Sequence, residues 1–254
     1  MRSMVLVGTG NLARILYDEL SKIDSFTIKQ VVGRSHEKLS HFSKDTPTTT
    51  TFDHLEVADV YLMAVADKAI PLVADQMAQL GGLLVHTSGA TDLNALGPAG
   101  RKGVFYPLQT FTHGTTVNFR QVPIGVEAEN NEDTQLLHDL GRSLSDTVFD
   151  LPSPKRAQLH LAAVFANNFT NYLYSVAADI CRKQELNFSL LLPLIQQTAK
   201  KVGEVPPERA QTGPAIRNDL KTMHAHLNLL QKKEHKDLYI LLSNAIKASH
   251  GEKL

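Results

Sequence analysis

Four polar side chains recur on one face of an otherwise apolar stretch in the second half of the sequence. At 100° per residue, Arg156, His160, Asn167 and Asn171 lie within about 60° of one another on a helix. A histidine titrates near neutral pH and can donate a proton, and an asparagine amide can hold a developing negative oxygen. The spacing therefore indicates His160, Asn167 and Asn171 as candidate catalytic residues.

Three further polar residues are candidates for binding a substrate. The guanidinium of Arg156 or of Arg217 can bind a carboxylate through two hydrogen bonds. Pro107 argues for an edge position or a strand end, and Gln109 lies just beyond it, where a ligand site is expected. Arg217 has a second interpretation as half of a surface pair with Asp219.

The asparagines also have a structural interpretation. A buried amide without a partner costs about 1–3 kcal/mol, so Asn167, Asn168 and Asn171 must be satisfied by protein, water or ligand. They either hydrogen-bond neighbouring helices or a second subunit, or they face a bound ligand. The residue types leave both interpretations open.

A glycine-rich turn at the start of the chain is typical of an element that binds phosphate. The apolar run Met4–Val7 reads as a strand, and Leu12–Leu20 carries apolar residues at helical spacing. Between them, Gly8 permits a sharp turn and Gly10 lets the backbone approach a pyrophosphate. The unpaired N–H groups of the following helix then face the phosphates. We expect the dinucleotide to contact Gly8, Thr9, Gly10, Asn11 and Leu12.

The end of the second strand indicates which dinucleotide binds. Thr27–Val32 reads as a strand that ends in Gly33, Arg34 and Ser35. An Asp or Glu that accepts from a ribose 2′-hydroxyl normally stands about 20 residues beyond the glycines, and none is present here. Arg34 and Ser35 suit a 2′-phosphate instead, which predicts NADP. The alternative is a solvated arginine followed by a helix-capping serine.

Two further buried strands end in small and polar residues. Asp59–Val65 ends at Ala66 and Asp67, and Leu83–Ala90 contains Thr87 and Ser88 near its end. Because ligands of open α/β sheets lie outside the carboxyl ends of strands, these residues are expected to line the nicotinamide side. The remaining predicted cofactor contacts are Ala64 and Val65. Thr87 and Ser88 are equally consistent with ordinary turn chemistry.

The length, net charge and cysteine count of the chain limit the kinds of partner and site that it can have. It has 254 residues, with 26 Lys and Arg balanced by 26 Asp and Glu, so no net charge favours nucleic acid or a membrane surface. Cys181 is the only cysteine, which excludes an internal disulfide, and no metal site is expected. The apolar runs are too short to span a membrane. We expect a soluble, cytoplasmic protein.

Strand and helix patterns alternate up to about residue 151 and only helical patterns follow. This alternation predicts an α/β fold in which a doubly wound, mostly parallel sheet precedes an all-α domain. We expect the boundary at Pro152-Ser153-Pro154, with domains of residues 1–151 and 152–254. A long helix is expected to begin near Lys155. Because this helix is apolar on most sides, a homodimer is also expected.

The sequence resembles bacterial two-domain proteins that join a Rossmann-like NADP-binding domain to a helical domain of unknown function. Their wider relatives form the superfamily of 6-phosphogluconate dehydrogenase, ketopantoate reductase and pyrroline-5-carboxylate reductase. The resemblance rests on the segments Gly8–Ala13, His86–Ala90, Tyr106–Phe111, His160–Phe169 and Gly213–Asp219. It implies an NADP-binding reductase that forms a dimer through its helical domain. In β-hydroxyacid dehydrogenases a lysine and an asparagine open the second domain, whereas here His160 lies in that region and Lys155 falls on the opposite helix face.

Two functions are consistent with these observations. The first is an NADP(H)-dependent oxidoreductase that reduces a small oxo- or imino-acid. The second is a non-catalytic NADP-binding sensor or scaffold whose helical domain makes a dimer. A polar helix face favours the reductase, since a helix used only for dimerisation does not need one.

Overall fold

An eight-stranded sheet forms the centre of the first 150 residues. The computed structural model describes residues 1–42, 44–112, 114 and 116–250, and within them eight strands pair in the order β3-β2-β1-β4-β5-β6-β7-β8. The strands up to β6 pair in parallel, β7 is antiparallel to β6, and β8 is parallel to β7. Their bounds are β1 Arg2–Val7, β2 Phe26–Val32, β3 Thr48–Thr49, β4 Val60–Met63, β5 Leu83–His86, β6 Lys102–Pro107, β7 Ile124–Ala128 and β8 Val148–Asp150.

Helices cover both faces of this sheet because its strands are apolar on both sides. Along β1, Met4 and Leu6 belong to one core cluster, and Val5 and Val7 belong to the other. The helices α1 (Asn11–Leu20) and α4 (Asn131–Leu144) pack into the first cluster. The helix α3 (Ile70–Met77) packs into the second, whereas α2 (His36–Leu39) is a single short turn. The doubly wound, mostly parallel sheet is therefore confirmed.

The remaining described chain is helical. No strand lies among the described residues 151–250, as expected. The helices are α5 Ser153–Ala163, α6 Thr170–Lys183, α7 Leu192–Glu204, α8 Pro207–Ala210, α9 Leu220–Leu229 and α10 Lys233–His250. None of the described helices is long and apolar enough to cross a membrane.

The predicted long helix is interrupted. Its first part, α5, begins at Ser153, and a π-helical segment, Val164–Phe169, separates α5 from α6. The helical pattern from Pro214 to Gln231 also predicts one helix, since a proline is tolerated in the first turn, but the observed helix is shorter. Asn218 adopts a left-handed backbone conformation and Asp219 caps α9, so this helix starts only at Leu220.

The chain divides into two compact units, Met1–Asn167 and Asn168–Leu254. This division lies inside the π-helical segment because α5 is hydrogen-bonded to the strands and loops of the first unit. The domain boundary after residue 151 stays a prediction.

The second unit lacks a conventional apolar core. Of its described residues, 168–250, only Asp179, Ala215, Met223 and Ser243 are buried, and two of these are polar. Large apolar side chains are exposed instead, including Leu186, Leu190, Leu194, Val202, Leu229 and Leu241.

Candidate functional site

A cavity opens at the carboxyl ends of β1 and β4, where the direction of strand order reverses. Here α1 leaves β1 toward one face of the sheet and α3 follows β4 on the other, which is the usual position of a ligand crevice. The cavity holds about 460 Å³. Seven of the predicted cofactor residues line it: Gly8, Thr9, Gly10, Arg34, Ala64, Val65 and Ala66.

The glycine turn is shaped by two different requirements. Gly8 has φ +129°, and a Cβ there would lie 2.2 Å from the carbonyl oxygen of Ala64, so only glycine fits. Gly10 has φ −76°, and a Cβ there would meet no protein atom within 4 Å. The absence of a side chain at Gly10 therefore leaves open space beside the start of α1.

The N-terminus of α1 presents backbone donors next to this turn. The Arg14 amide donates to the Gly10 carbonyl and makes the first hydrogen bond of the helix. No side chain caps the helix at its N-terminus. The amides of Asn11, Leu12 and Ala13 thus lack intrahelical acceptors and suit an anion. The side chain of Asn11 donates to the Phe111 carbonyl at 3.0 Å, and Leu12 packs on the core, so both residues offer backbone rather than side-chain contacts.

The cavity is positively charged. Among the described residues that line it, Arg34, Lys38 and Lys68 carry positive charge and none carries negative charge. All three side chains are exposed. Ser35 caps α2 by accepting from the Lys38 amide at 3.5 Å, as the capping interpretation predicted.

The predicted nicotinamide-side residues Thr87 and Ser88 are buried in a turn. Thr87 donates its hydroxyl proton to the Met63 carbonyl at 3.2 Å. The Ser88 hydroxyl accepts from the amides of Ala90 and Thr91 and donates to the Thr91 hydroxyl. Turn chemistry therefore accounts for both hydroxyls, and their contact with a cofactor stays a prediction.

His86, the last residue of β5, is fully buried beneath this turn. Its Nδ1 accepts from the Ser88 amide at 3.2 Å, which requires a neutral ring with its proton on Nε2. Burial, and then the positive charge of Arg156, lower the pKa of His86 to about 4. His86 therefore holds the turn in place as a neutral residue at physiological pH.

His160 lies against the same turn. Its Nδ1 is 3.1 Å from the hydroxyl of Tyr106, which stands one residue before the end of β6, and the two rings meet edge to face. A Cβ at Gly89 would lie 2.6 Å from Nδ1 of His160 and 2.7 Å from the Tyr106 ring. His160, the predicted proton donor, thus lies at the carboxyl ends of β5 and β6. The glycine turn lies at the same end of the sheet, after β1.

Arg156 is an anchor inside the first unit. Its side chain is 1% exposed and forms an ion pair with Glu127 of β7. The guanidinium also donates to the Thr91 carbonyl at 2.6 Å and to the Ser153 hydroxyl at 2.9 Å. These contacts join the start of α5 to the turn after β5. Because Glu127 already occupies the guanidinium, substrate binding by Arg156 stays a prediction that these contacts do not support.

The other predicted residues are exposed. The side chain of Gln109 accepts from the Thr110 amide at 2.8 Å. Arg217 precedes α9, and Asp219 caps that helix by accepting from the Thr222 amide at 3.0 Å. Asn167 and Asn171 are exposed in the single chain.

The assumption of uniform helical spacing is wrong between Val164 and Phe169. A π-helix bonds residue i to residue i+5, so each turn holds more residues and the side chains beyond it are rotated. The position of Asn167 and Asn171 on the face of His160 does not follow from a 100° spacing.

Comparison with known structures identifies the family. A protein from Bacteroides fragilis described as a "putative NADP oxidoreductase" is 37% identical to this chain, and the match covers 98% of each chain with a TM-score of 0.89. The chain belongs to the same family. Residues 122–246 match the Domain of unknown function (DUF2520), which this family member therefore contains.

More distant structures share the fold. A Thermotoga maritima protein is 22% identical, with 98% and 99% of the two chains covered and a TM-score of 0.75. A pyrroline-5-carboxylate reductase from Coxiella burnetii is 18% identical, with 99% and 98% covered and a TM-score of 0.56. The sequence matches none of the curated proteins with which it was compared.

In this family member, sequence reasoning missed four residues of the site. Lys38 lies in the first turn of the helix that Ser35 caps, three residues beyond Ser35, and Lys68 follows the end of β4. Tyr106 stands near the end of β6, and the strand-end argument used for Gln109 also applies to it. Glu127 gave no signal, because its partner Arg156 lies 29 residues away in sequence.

Proposed function

We propose that this protein is an NADP(H)-dependent oxidoreductase that reduces a small oxo- or imino-acid. The observation that carries the proposal is the cavity at the ends of β1 and β4, which Arg34, Lys38 and Lys68 line without any described carboxylate. Such a cavity suits a dinucleotide with an additional phosphate. The relative described as a "putative NADP oxidoreductase" supports the same assignment.

The residues present fit this cofactor. The amides at the start of α1 would hold the pyrophosphate, and the open space beside Gly10 leaves room for it. Arg34 and Lys38 would hold the 2′-phosphate. When bound, NADPH supplies a hydride with its electron pair. His160 is the candidate group that supplies a proton.

The second unit supports a dimer. A unit in which four described residues are buried cannot balance its conformational entropy with its own apolar core. Exposed leucines of this kind mark an interface when they are numerous. We propose that a second copy of the chain covers this surface, since closed symmetric homodimers are the commonest assembly.

Nucleotide titration tests the cofactor assignment. Quenching or enhancement of NADPH and NADH fluorescence should show tighter binding of NADPH, and Arg34→Asp should reverse the order because a carboxylate repels the 2′-phosphate. Gly10→Ala should weaken both nucleotides by more than about tenfold while the melting temperature stays unchanged, because the added methyl group meets ligand and not protein.

Gly100→Ala is the matched control, since a Cβ at Gly100 also meets no protein atom but lies outside the cavity. Equal affinity of the wild-type protein for NADPH and NADH would contradict the assignment of NADP.

A screen of NADPH consumption with 2-oxo acids, 3-oxo acids and cyclic imines then tests turnover. Tight NADPH binding without turnover of any compound would favour the sensor or scaffold.

A further inference from the structure

A tyrosine–histidine pair occupies the carboxyl ends of β5 and β6. The Tyr106 hydroxyl lies 3.1 Å from Nδ1 of His160, and both rings rest against Gly89. Tyr106 is 7% exposed, whereas His160 is half-buried. Since Tyr106 engages Nδ1, the nitrogen of His160 that remains for a substrate is Nε2.

The direction of the hydrogen bond follows from the burial of the phenol. Burial raises the pKa of Tyr106, although the positive charge of Arg156 opposes this, so the phenol keeps its proton at neutral pH. A buried hydroxyl that only accepted would leave its own proton unpaired, which costs about 1–3 kcal/mol. The hydroxyl is therefore expected to donate to Nδ1, which places the histidine proton on Nε2.

We propose that Tyr106 is the positioning residue for His160, and that the pair delivers a proton to the oxygen of a carbonyl substrate. This inference rests on the proposed reductase function and names its substrate class. It makes an oxo-acid, and not an iminium, the expected substrate of the site.

The step balances in atoms and electrons. A bound reduced dinucleotide would supply a hydride with its electron pair to the carbonyl carbon, and the C=O π electrons would then move to oxygen. That oxygen takes the proton from Nε2 of His160, and the phenol proton moves to Nδ1, so the imidazole stays neutral. The proton on Nδ1 then returns to the phenolate oxygen and Nε2 takes a proton from water, which restores the starting pair. Because an alkoxide is a stronger base than a phenolate, the proton moves toward the product.

The chemistry of the pair favours a carbonyl. An iminium becomes a neutral amine when it gains a hydride, so it needs no proton, and its positive charge favours a neighbouring carboxylate. The partner of His160 is a phenol, and the carboxylate of Glu127 is bound to Arg156 and Ser153. A donor pair of this kind stabilises a developing negative oxygen.

Two variants separate the pair by different means. Tyr106→Phe removes only the hydroxyl and keeps the ring against Gly89. Gly89→Ala keeps both functional groups but places a methyl group 2.6 Å from Nδ1 of His160, which must move the ring. The matched control is Tyr17→Phe, because Tyr17 is also 7% exposed and its hydroxyl is bonded to Thr46 at 2.8 Å.

The first readout needs neither cofactor nor substrate. Nitrogen-15 NMR of labelled histidine in the ligand-free protein at pH 8 should show the ring of His160 with its proton on Nε2. Tyr106→Phe and Gly89→Ala should convert it to a mixture of tautomers, and Tyr17→Phe should leave it unchanged. A His160 ring with its proton on Nδ1, or one that does not respond to Tyr106→Phe, would overturn the pairing.

The second readout is NADPH oxidation with the 2-oxo acid of the panel that is consumed fastest. Tyr106→Phe should lower kcat by about 10- to 100-fold, the effect of a misplaced catalytic group, with NADPH affinity within about twofold. His160→Gln should lower it by roughly 10²–10⁴-fold. Reduction of cyclic imines with no reduction of oxo acids would overturn the substrate class, whereas failure to bind NADPH would refute the proposed function and leave the tautomer result standing.

Discussion

The acid stability of the protein should depend on His86. In the unfolded chain this ring takes up a proton as the pH falls through its ordinary pKa of 6.5, whereas burial lowers the pKa in the folded chain to about 4. Between these values the unfolded state binds more protons than the folded state. The free energy of unfolding therefore falls as the pH falls through this window, and the stability is fully present above pH 6.5.

The size of the effect follows from the two pKa values. A shift of about 2.5 units corresponds to about 3 kcal/mol at 1.36 kcal/mol per unit. Proton linkage gives a loss of about 2 kcal/mol at pH 5 and about 3 kcal/mol at pH 4, relative to pH 8. Since domains of this kind are stable by about 5–15 kcal/mol, one histidine accounts for a substantial part of the acid sensitivity.

Urea denaturation at pH 8, 6, 5 and 4 measures the loss. His86→Asn removes the titrating ring but keeps an oxygen that can accept from the Ser88 amide. This variant should be less stable at pH 8, because it leaves a cavity, and should lose about 2–3 kcal/mol less than the wild type between pH 8 and pH 4. The exposed residue His36 gives a control, His36→Asn, that should retain the wild-type slope. Equal slopes in the wild type and in His86→Asn would refute the reasoning.

Two further predictions concern folding and assembly. Gly8→Ala should destabilise the first unit by more than about 3 kcal/mol in chemical denaturation, because it combines a strained backbone with a 2.2 Å approach to the Ala64 carbonyl; a variant of wild-type stability would contradict this account of the turn. Light scattering at micromolar concentration should give twice the mass of one chain. Leu194→Glu and Leu241→Glu place charge on exposed apolar positions of the second unit. A variant that lowers the measured mass identifies its position as part of the covered surface. A monomer under these conditions would contradict the dimer.

Local sequence patterns predicted the elements that depend on neighbouring residues. The apolar runs around Met4–Val7 and Leu83–His86 become buried parallel strands because both of their faces need cover. The run Gly8–Ala13 becomes the predicted turn because its conformation is set within a few residues. The capping interpretation of Ser35 holds for the same reason.

Local patterns failed where the backbone departs from regular geometry. The π-helical segment at Val164–Phe169 changes the rotation of every side chain beyond it, and residue types alone gave no sign of it. The late start of α9 depends on a left-handed residue, Asn218, which the helical pattern did not reveal.

The sequence by itself determined the doubly wound, mostly parallel sheet, the glycine turn and the position of Arg34 after β2, since each follows from residue types and their local spacing. Only the tertiary structure decided which polar groups meet. Tyr106 lies 54 residues from His160, and Glu127 lies 29 residues from Arg156. Such pairs form because the sheet brings strand ends together. Their side chains replace hydrogen bonds to water by hydrogen bonds to each other only when the chain folds. In the folded chain Arg156 forms an ion pair with Glu127, and His160 forms a hydrogen bond with Tyr106.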